Sequence, residues 1–445
     1  MAAGGKILLS PQEKFVEKIL RKNGLLDPSN YAPGLHFFRA KDMIEKSKVF
    51  KFIRRMPKGA LLHGHNTAMA SSEWVIQNLT YYPGLLKCES DTGNIVLTFQ
   101  KYNLNNKKCQ RVAEERSRAR DRKAYDKELE KLINLHIKNP ESEYYHIARV
   151  WTKFENMFET ISGVLQFLPV FRAYHQRVLE EMYHDGVMYI EFRTSFGTGY
   201  DEFGNTYSPV DMARILQEIV NDFKKDHKNF LGAKAIYSTS RRVDIEKTIL
   251  LVGRKSHEKY SEDLGKPIRE FLPVLGTLPR DTNFFFHAGE TNWYGSDVDE
   301  NVLDALLLNT TRIGHGFAIM KHPVMWNVIK KRNIPIEINP ISNQVLHLLL
   351  DLRNHPAAFY ISENIPLVIS NDDPGFWNAK GLSYDFYYAF MCFTRSKNGL
   401  KSLKKLVWDS VKYSVLSPAE RTEAAIILQR LWDQFLEDII KENSV

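Results

Sequence analysis

The feature that most constrains this chain is a repeating pattern of short apolar runs separated by amphipathic helical stretches, beginning near residue 145. The runs are Val187–Arg193 (VMYIEFR), Ala233–Ser238 (AKAIYS), Phe284–Glu290 (FFFHAGE), Arg312–Ile319 (RIGHGFAI), Pro335–Pro340 (PIEINP) and Leu367–Asp373 (LVISNDD). An earlier run, LLHGHN (Leu61–Asn66), belongs with them. Near-continuous apolar strands alternating with helices predict a parallel sheet covered on both faces. A closed (β/α)8 barrel and a doubly wound open sheet both satisfy that requirement. Several runs end on polar or ionisable residues, and the C-terminal end of a strand is where barrel active sites form. No Gly-rich dinucleotide fingerprint favours the open sheet. The expected fold is therefore α/β, a TIM (β/α)8-type barrel.

A chain of 445 residues has room for such a barrel with appendages. From Ser10 to about Ile53 the apolar spacing is helical (Phe15, Ile19, Leu20; Phe38, Ile44, Val49, Phe52), with breaks at Pro28 and Pro33. This gives an N-terminal helical segment over 1–56, ahead of a barrel over 57–445. No run reaches the roughly 18 apolar residues that span a bilayer, so no membrane partner is expected. The start, MAAGGKILLSPQEKF, has no apolar core of a secretory signal. The net charge is +8, from 61 Lys+Arg against 53 Asp+Glu. Such an excess is compatible with a polyanionic partner without requiring one. Its densest patch, Lys107–Lys123, reads as a solvated helix face or as a glycosaminoglycan-docking surface; no nucleic-acid motif accompanies it.

Residues 81–130 are polar and basic and read as an insertion, with Cys88 and Cys109 flanking a polar segment. A bridge between them would close a loop of about 20 residues, worth roughly 3 kcal/mol in the chain-entropy model. Two free thiols fit the sequence equally. Cys392, in FYYAFMCF, reads as a buried core thiol. The sequons at Asn78 and Asn309 lean toward an oxidising compartment.

Metal-type ligands recur at the strand ends. His63 and His65 are two apart, so on a strand they share a face. His287 lies three residues before Glu290, His315 sits between Gly314 and Gly316, and Asp372 and Asp373 close LVISNDD. Imidazoles with a carboxylate form the usual shell of a catalytic zinc, which lowers the pKa of water to near 7. A nearby carboxylic acid and an imidazole supply acid and base.

Together MPKGALLHGHN, FFFHAGETNWYG, NTTRIGHGFA, EINPISNQVL and VISNDDPGFW resemble the adenosine deaminase-related growth factor family, secreted deaminases among the metal-dependent amidohydrolase barrels. The resemblance runs from about residue 35 to 430. It implies zinc-dependent hydrolysis of the 6-amino group of adenosine and deoxyadenosine, with one zinc per chain held by His63, His65, His287 and Asp372. It further implies that Glu290 protonates the purine ring nitrogen beside the attacked carbon and that His315 orients and deprotonates the attacking water. Asp373 would hydrogen-bond the purine, Gly289 and Asn66 would contact substrate, and Trp151 would help enclose it. Residues 81–130 would be a receptor-binding subdomain with a Cys88–Cys109 bridge. The N-terminal helices would serve a homodimer, and the setting would be extracellular.

Two departures from the family stand out. Asn66 follows HxH where the family commonly has Asp; the amide keeps one acceptor, loses the charge and gains two donors. That is either a tolerated swap or altered sugar binding. Between AKAIYS and FFFHAGE the family's fourth barrel strand has no counterpart, as if about a dozen residues were deleted at Tyr260–Ser261. Ile249–Gly253 is the only local apolar stretch able to substitute. Lost strand pairing exposes unsatisfied backbone groups at about 1–3 kcal/mol each when buried. Two alternatives follow: a catalytically weak receptor- or glycosaminoglycan-binding protein, and a deaminase of an adenine nucleotide, for which no phosphate site is recognisable.

Overall fold

The computed structural model describes residues 7–23, 31–90, 93–100, 109–238, 268, 272–276, 278–279, 282–394 and 399–443. In chain order its strands are β1 (Gly59–His65), β2 (Leu86–Glu89), β3 (Ile95–Thr98), β4 (Cys109–Arg111), β5 (Val187–Thr194), β6 (Gly199–Tyr200), β7 (Thr206–Tyr207), β8 (Gly232–Tyr237), β9 (Phe285–Ala288), β10 (Arg312–His315), β11 (Ile336–Ile338) and β12 (Leu367–Ile369). β1, β5 and β8 pair in parallel, as do β9, β10, β11 and β12. A parallel bridge between Gly64 and Asp372 joins the two sets, with Asp372 N donating to His63 O at 3.2 Å and His65 N to Asp372 O at 2.9 Å. The spatial order therefore follows the chain from β9 through β12, β1 and β5 to β8, as in a barrel wall. The expected deletion at Tyr260–Ser261 and the substitute stretch Ile249–Gly253 lie outside the described residues.

Burial on both faces explains the near-continuous apolar strands. All eight residues of β5 are buried. Met188, Ile190 and Phe192 alternate with Glu191 and Arg193 along it, so one face meets helices while the other turns charges inward. Those charges meet partners from β10 and β11. Arg312 reaches Glu191 and Glu337 at 2.5 Å each, and Arg193 also pairs with Glu337, all four side chains being fully buried. Between β5 and β8 runs the helix Pro209–Asp226. Its start is written locally: Ser208 Oγ accepts from Asp211 N (3.2 Å), and Ser208 N donates to Asp211 Oδ2 (3.0 Å).

The N-terminal helix Pro11–Asn23 lies on the chain's own C-terminal helices, Gly399–Lys412 and Pro418–Asn443. Glu13 accepts from Lys404 (2.6 Å) and from Trp432 Nε1 (2.9 Å), and Glu17 accepts from Leu400 N (2.7 Å). The insertion carries a small antiparallel sheet ordered β3-β2-β4, where Cys88 and Cys109 face each other in register and form a disulfide.

Two expectations change. The basic patch is not wholly a solvated face: Arg116 is buried, 3.8 Å over the Tyr81 ring, and donates to Asp126 (2.8 Å) and Thr80 O (3.1 Å). Its guanidinium is spent on packing the insertion. Cys392 is only partly buried, packed against the edge of the core with its sulfur 3.9 Å from the Tyr31 hydroxyl. Among the described residues no helix is long and apolar enough to cross a membrane.

Candidate active site

The ends of four strands converge on one carboxylate. Asp372 Oδ1 lies 3.2 Å from His63 Nε2 and 2.9 Å from His65 Nδ1, while Asp372 Oδ2 lies 3.7 Å from His315 Nε2 and accepts from Ser342 Oγ at 2.7 Å. His287 joins from β9, its ring centroid 4.6 Å from that of His63. Candidate ligand atoms of His63, His287, His315 and Asp372 all fall within 4.8 Å of one another. A second set, His65, Asp372 and Asp373, shares the same carboxylate. All six residues are buried. His65, expected among the ligands, thus meets the cluster through Asp372, and His315 lies closer to the other imidazoles than expected.

The backbone strains to bring these groups together. The run expected as strand over Arg312–Ile319 stops at His315, which adopts φ +60°, and the chain turns into the short helix Phe317–Lys321. LVISNDD likewise leaves the sheet at Ile369, and Asp372 sits at φ +60°. Left-handed conformations at non-glycine residues cost of order 1–3 kcal/mol and concentrate at functional sites. Close approach explains two of the glycines. A Cβ at Gly314 would lie 3.3 Å from the His63 ring and 3.2 Å from His287 Cα. At Gly289 (φ +66°) it would come within 2.5 Å of Val302.

Hydrogen-bond direction tests whether this cluster suits a cation. His63 Nδ1 lies 2.8 Å from Glu337 Oε2. Burial pushes the Glu337 carboxyl up, but Arg193 and Arg312, helped by His63, outweigh it and hold it well below the usual carboxylate range. An ionised carboxylate only accepts, so His63 Nδ1 carries a proton and donates it there, which leaves Nε2 turned to the site. Nε2 faces the Asp372 carboxylate at 3.2 Å. A buried imidazole nitrogen and a carboxylate oxygen at that distance are joined either by a proton on Nε2 or by a cation that both atoms ligate. A carboxylate behind a ligating imidazole is the usual support of such a metal ligand.

The remaining predicted residues take distinct places. Asp373 Oδ1 lies 2.9 Å from His65 Nδ1, and Glu290 Oε1 3.4 Å from His315 Nδ1. Asn66 is buried, its amide 2.7 Å from His175 Nε2 and donating to Thr194 Oγ1 at 3.2 Å. Burial pushes His175 down to about 4, against two oxygen acceptors that face its ring, Phe171 O and Asn66 Oδ1, each at 2.7 Å. Beside it a cavity of about 160 Å³ is lined by Asn66, Thr67, Leu165, Phe171, Thr194 and Phe196. Trp151, on the helix Ile147–Ser162, is buried and donates Nε1–H to Leu346 O at 3.0 Å. Gly289 N donates to Val298 O (3.2 Å), and its carbonyl accepts from Ala318 N (2.9 Å). Asn78 and Asn309 are both exposed.

Sequence reasoning missed Glu337, Ser342, Asn343 and His355. A lone carboxylate inside PIEINP was a usable signal for Glu337, and the EINPISNQVL segment already singled out contains Ser342 and Asn343; nothing local marked His355.

Comparison with known proteins places the chain in context. A family model described as adenosine deaminase matches residues 134–429, and one described as adenosine/AMP deaminase N-terminal matches 1–53. The chain is 38% identical to an adenosine deaminase of Lutzomyia longipalpis, covering 98% of this chain and 90% of the relative. It is 37% identical to adenosine deaminase 2 of Homo sapiens, covering 99% and 91%. Among solved structures it is similar to an amidohydrolase from Burkhoderia ambifaria with bound Zn, at TM-score 0.59 and 15% identity over 89% of this chain and 95% of that one.

Proposed function

Because the chain belongs to the adenosine deaminase family and is a hydrolytic deaminase, we propose that its substrates are adenosine and deoxyadenosine and its cofactor one zinc ion. The products are inosine or deoxyinosine and ammonia: a C–O bond forms at purine C6 as the C6–N bond to the amino group breaks. The observation that carries this reading is His63 Nε2 facing Asp372, with His65, His287 and His315 gathered on the same carboxylate. Three imidazole nitrogens and one carboxylate oxygen suit zinc. His63, His65, His287 and Asp372 would hold it, and the zinc-bound amidohydrolase of the same fold supports the choice of ion.

Zinc bound there supplies a Lewis acid that makes water a nucleophile at neutral pH. The chain's own residues do the rest. Glu290 delivers a proton to the ring nitrogen beside C6, which lets the ring accept electrons as the oxygen adds. His315 faces the attack position. Asp373, tied to His65, holds the imidazole edge of the purine. Asn66, Trp151 and Gly289 shape the pocket around the nucleoside.

An extracellular setting is supported by the disulfide, since such bonds form and persist in oxidising compartments, and by the exposure of Asn78 and Asn309, which would be glycan acceptors. The insertion at 81–130 would dock a receptor or glycosaminoglycan, and the chain would work as a homodimer. Sedimentation and heparin-column retention check those last two readings.

The direct test is the ultraviolet change on converting adenosine to inosine, with zinc per chain measured on the same sample. Turnover that tracks zinc content is the expected result. Full turnover in zinc-free protein overturns the zinc assignment, and zinc-loaded protein inert toward both nucleosides overturns the substrate.

A further inference from the structure

The reading above puts His315 at the attack position without saying which nitrogen carries its proton. A chain of buried hydrogen bonds settles that, and it starts from a donor whose direction is not in doubt. The backbone N–H of Ala357 donates to His355 Nδ1 at 3.0 Å. Burial pushes His355 down to about 3, so the ring is neutral, and a neutral imidazole accepting at Nδ1 carries its proton on Nε2. His355 Nε2 lies 2.9 Å from Asn343 Oδ1. The N–H must donate there, which fixes the amide orientation of Asn343. Its Nδ2 then points its hydrogens at His315 Nδ1, 3.1 Å away. His315 can only accept at that nitrogen.

We propose that Asn343 and His355 are positioning residues that hold His315 as the tautomer protonated on Nε2, so that it orients the attacking oxygen as a hydrogen-bond donor. This rests on the deaminase reading and sharpens it, because the base role implied for His315 by resemblance needs a bare Nε2. Nothing in the chain of bonds runs both ways: a proton on His315 Nδ1 would oppose the Asn343 N–H, and turning the amide would oppose the His355 N–H. All three side chains are buried, so water cannot substitute for a lost partner. Also facing His315 are Asp372, the His63 and His287 rings (centroids 5.0 Å), Glu290, and Asn339, whose Nδ2 lies 3.5 Å from Nε2 and whose amide must turn to present its otherwise unbonded Oδ1 to the Nε2 proton. Of these only Glu290 addresses Nδ1, at 3.4 Å against 3.1 Å for Asn343.

The test is nitrogen-15 NMR of the full chain with labelled histidine, the His315 signals being identified by their loss in His315→Gln. This readout does not depend on turnover, so it separates the failure of this inference from the failure of the substrate assignment. The wild-type protein is expected to show His315 protonated on Nε2 with or without zinc. Asn343→Asp swaps the donor facing Nδ1 for an acceptor of the same shape. It should move the proton to Nδ1, lower kcat roughly 10–100-fold with little change in KM or zinc content, and displace the acid limb of the pH profile upward. His355→Leu should lower kcat similarly, and His355→Gln, which restores an N–H at that position, should recover most of it. A wild-type His315 protonated on Nδ1, or Asn343→Asp with an unaltered kcat and pH profile, overturns the proposal. Should Asn343→Asp fail to fold, equal kcat in His355→Leu and His355→Gln overturns it instead.

Discussion

Two buried polar clusters share the barrel interior, and they solve opposite problems. In the first, Glu191, Arg312, Glu337 and Arg193 pair acid with base at every contact. In the second, one carboxylate, Asp372, is met by three imidazoles and a hydroxyl. The first is electrostatically closed and needs nothing from outside. The second gathers lone pairs, which is costly in a buried site unless a cation or protons are supplied. Glu337 belongs to both: Oε1 meets Arg312, while Oε2 is shared between Arg193 and His63 Nδ1. The lower cluster therefore works as the foundation of the upper one.

Removing a charge therefore has different consequences in the two places. The largest effect is expected at Asp372. Asp372→Asn keeps a residue that tolerates a left-handed backbone but takes away the negative ligand. It should abolish zinc binding and turnover together while leaving the zinc-free chain at least as stable in urea. A zinc-binding, active Asp372→Asn enzyme would break the comparison. Within the same cluster, His65→Ala and His315→Ala separate holding from acting. The first should lose zinc, and the second should keep it and lose turnover. Zinc analysis after dialysis decides, and the reverse pattern would make His315 the ligand, as its proximity to His63 and His287 allows.

Glu337→Gln comes next and should damage both clusters. Two buried arginines lose their shared charge, for which breaking a buried pair typically costs about 3–5 kcal/mol. The support of His63 also weakens, worth roughly 10–100-fold in metal affinity. Urea denaturation and chelator competition read the two losses separately. A loss of stability with unchanged zinc affinity would detach the lower cluster from the site.

What the sequence made legible follows the same division. The seven parallel runs could be read because each is locally apolar and bounded by helices, and the chemistry because His and Asp stand out at strand ends. The ends themselves were misplaced at His315 and Asp372, where the chain leaves the sheet through positive φ. Those breaks serve the site rather than the sheet, so no strand periodicity encodes them. The pairings made by Glu337, Asn343 and His355 were not legible for another reason. They reach His63 and His315 from segments far away in sequence, and only the folded barrel makes them neighbours. The same holds for Arg116, whose partners Tyr81 and Asp126 come from either side of it in the insertion.

A smaller effect concerns pH. Burial holds His36 and His355 near 3 and His175 near 4, against about 6.5 when unfolded. Their depressed folded values mean the unfolded chain binds more protons as pH falls, so stability is full above about 6.5 and declines from there toward 4. Urea midpoints measured from pH 7.5 to 4.5 should fall through that window, and His175→Gln should flatten the fall. A midpoint constant across that range would show that these rings protonate in place.

The smallest expected effect is at Asn66, and it tests the His175 corner beside the site. His175 Nδ1 lies 2.7 Å from Phe171 O and its Nε2 2.7 Å from Asn66. Asn66→Asp would place a carboxylate against Nε2, and an imidazolium could then donate to both oxygens. The His175 pKa should therefore rise above its unfolded value, reversing its contribution: stability is present below the unfolded pKa and lost as pH rises through the folded one. Because the carboxylate and the Phe171 carbonyl would accept both N–H groups of the imidazolium, the net change at pH 7 should be within about 1–2 kcal/mol. The KM for adenosine should move by less than about tenfold, since a single neutral-for-charged hydrogen bond is worth about 1–2 kcal/mol. Histidine NMR titration reads the pKa directly, and a His175 that stays neutral at pH 6 in Asn66→Asp would mean the carboxylate points instead into the cavity lined by Thr67, Leu165 and Phe196.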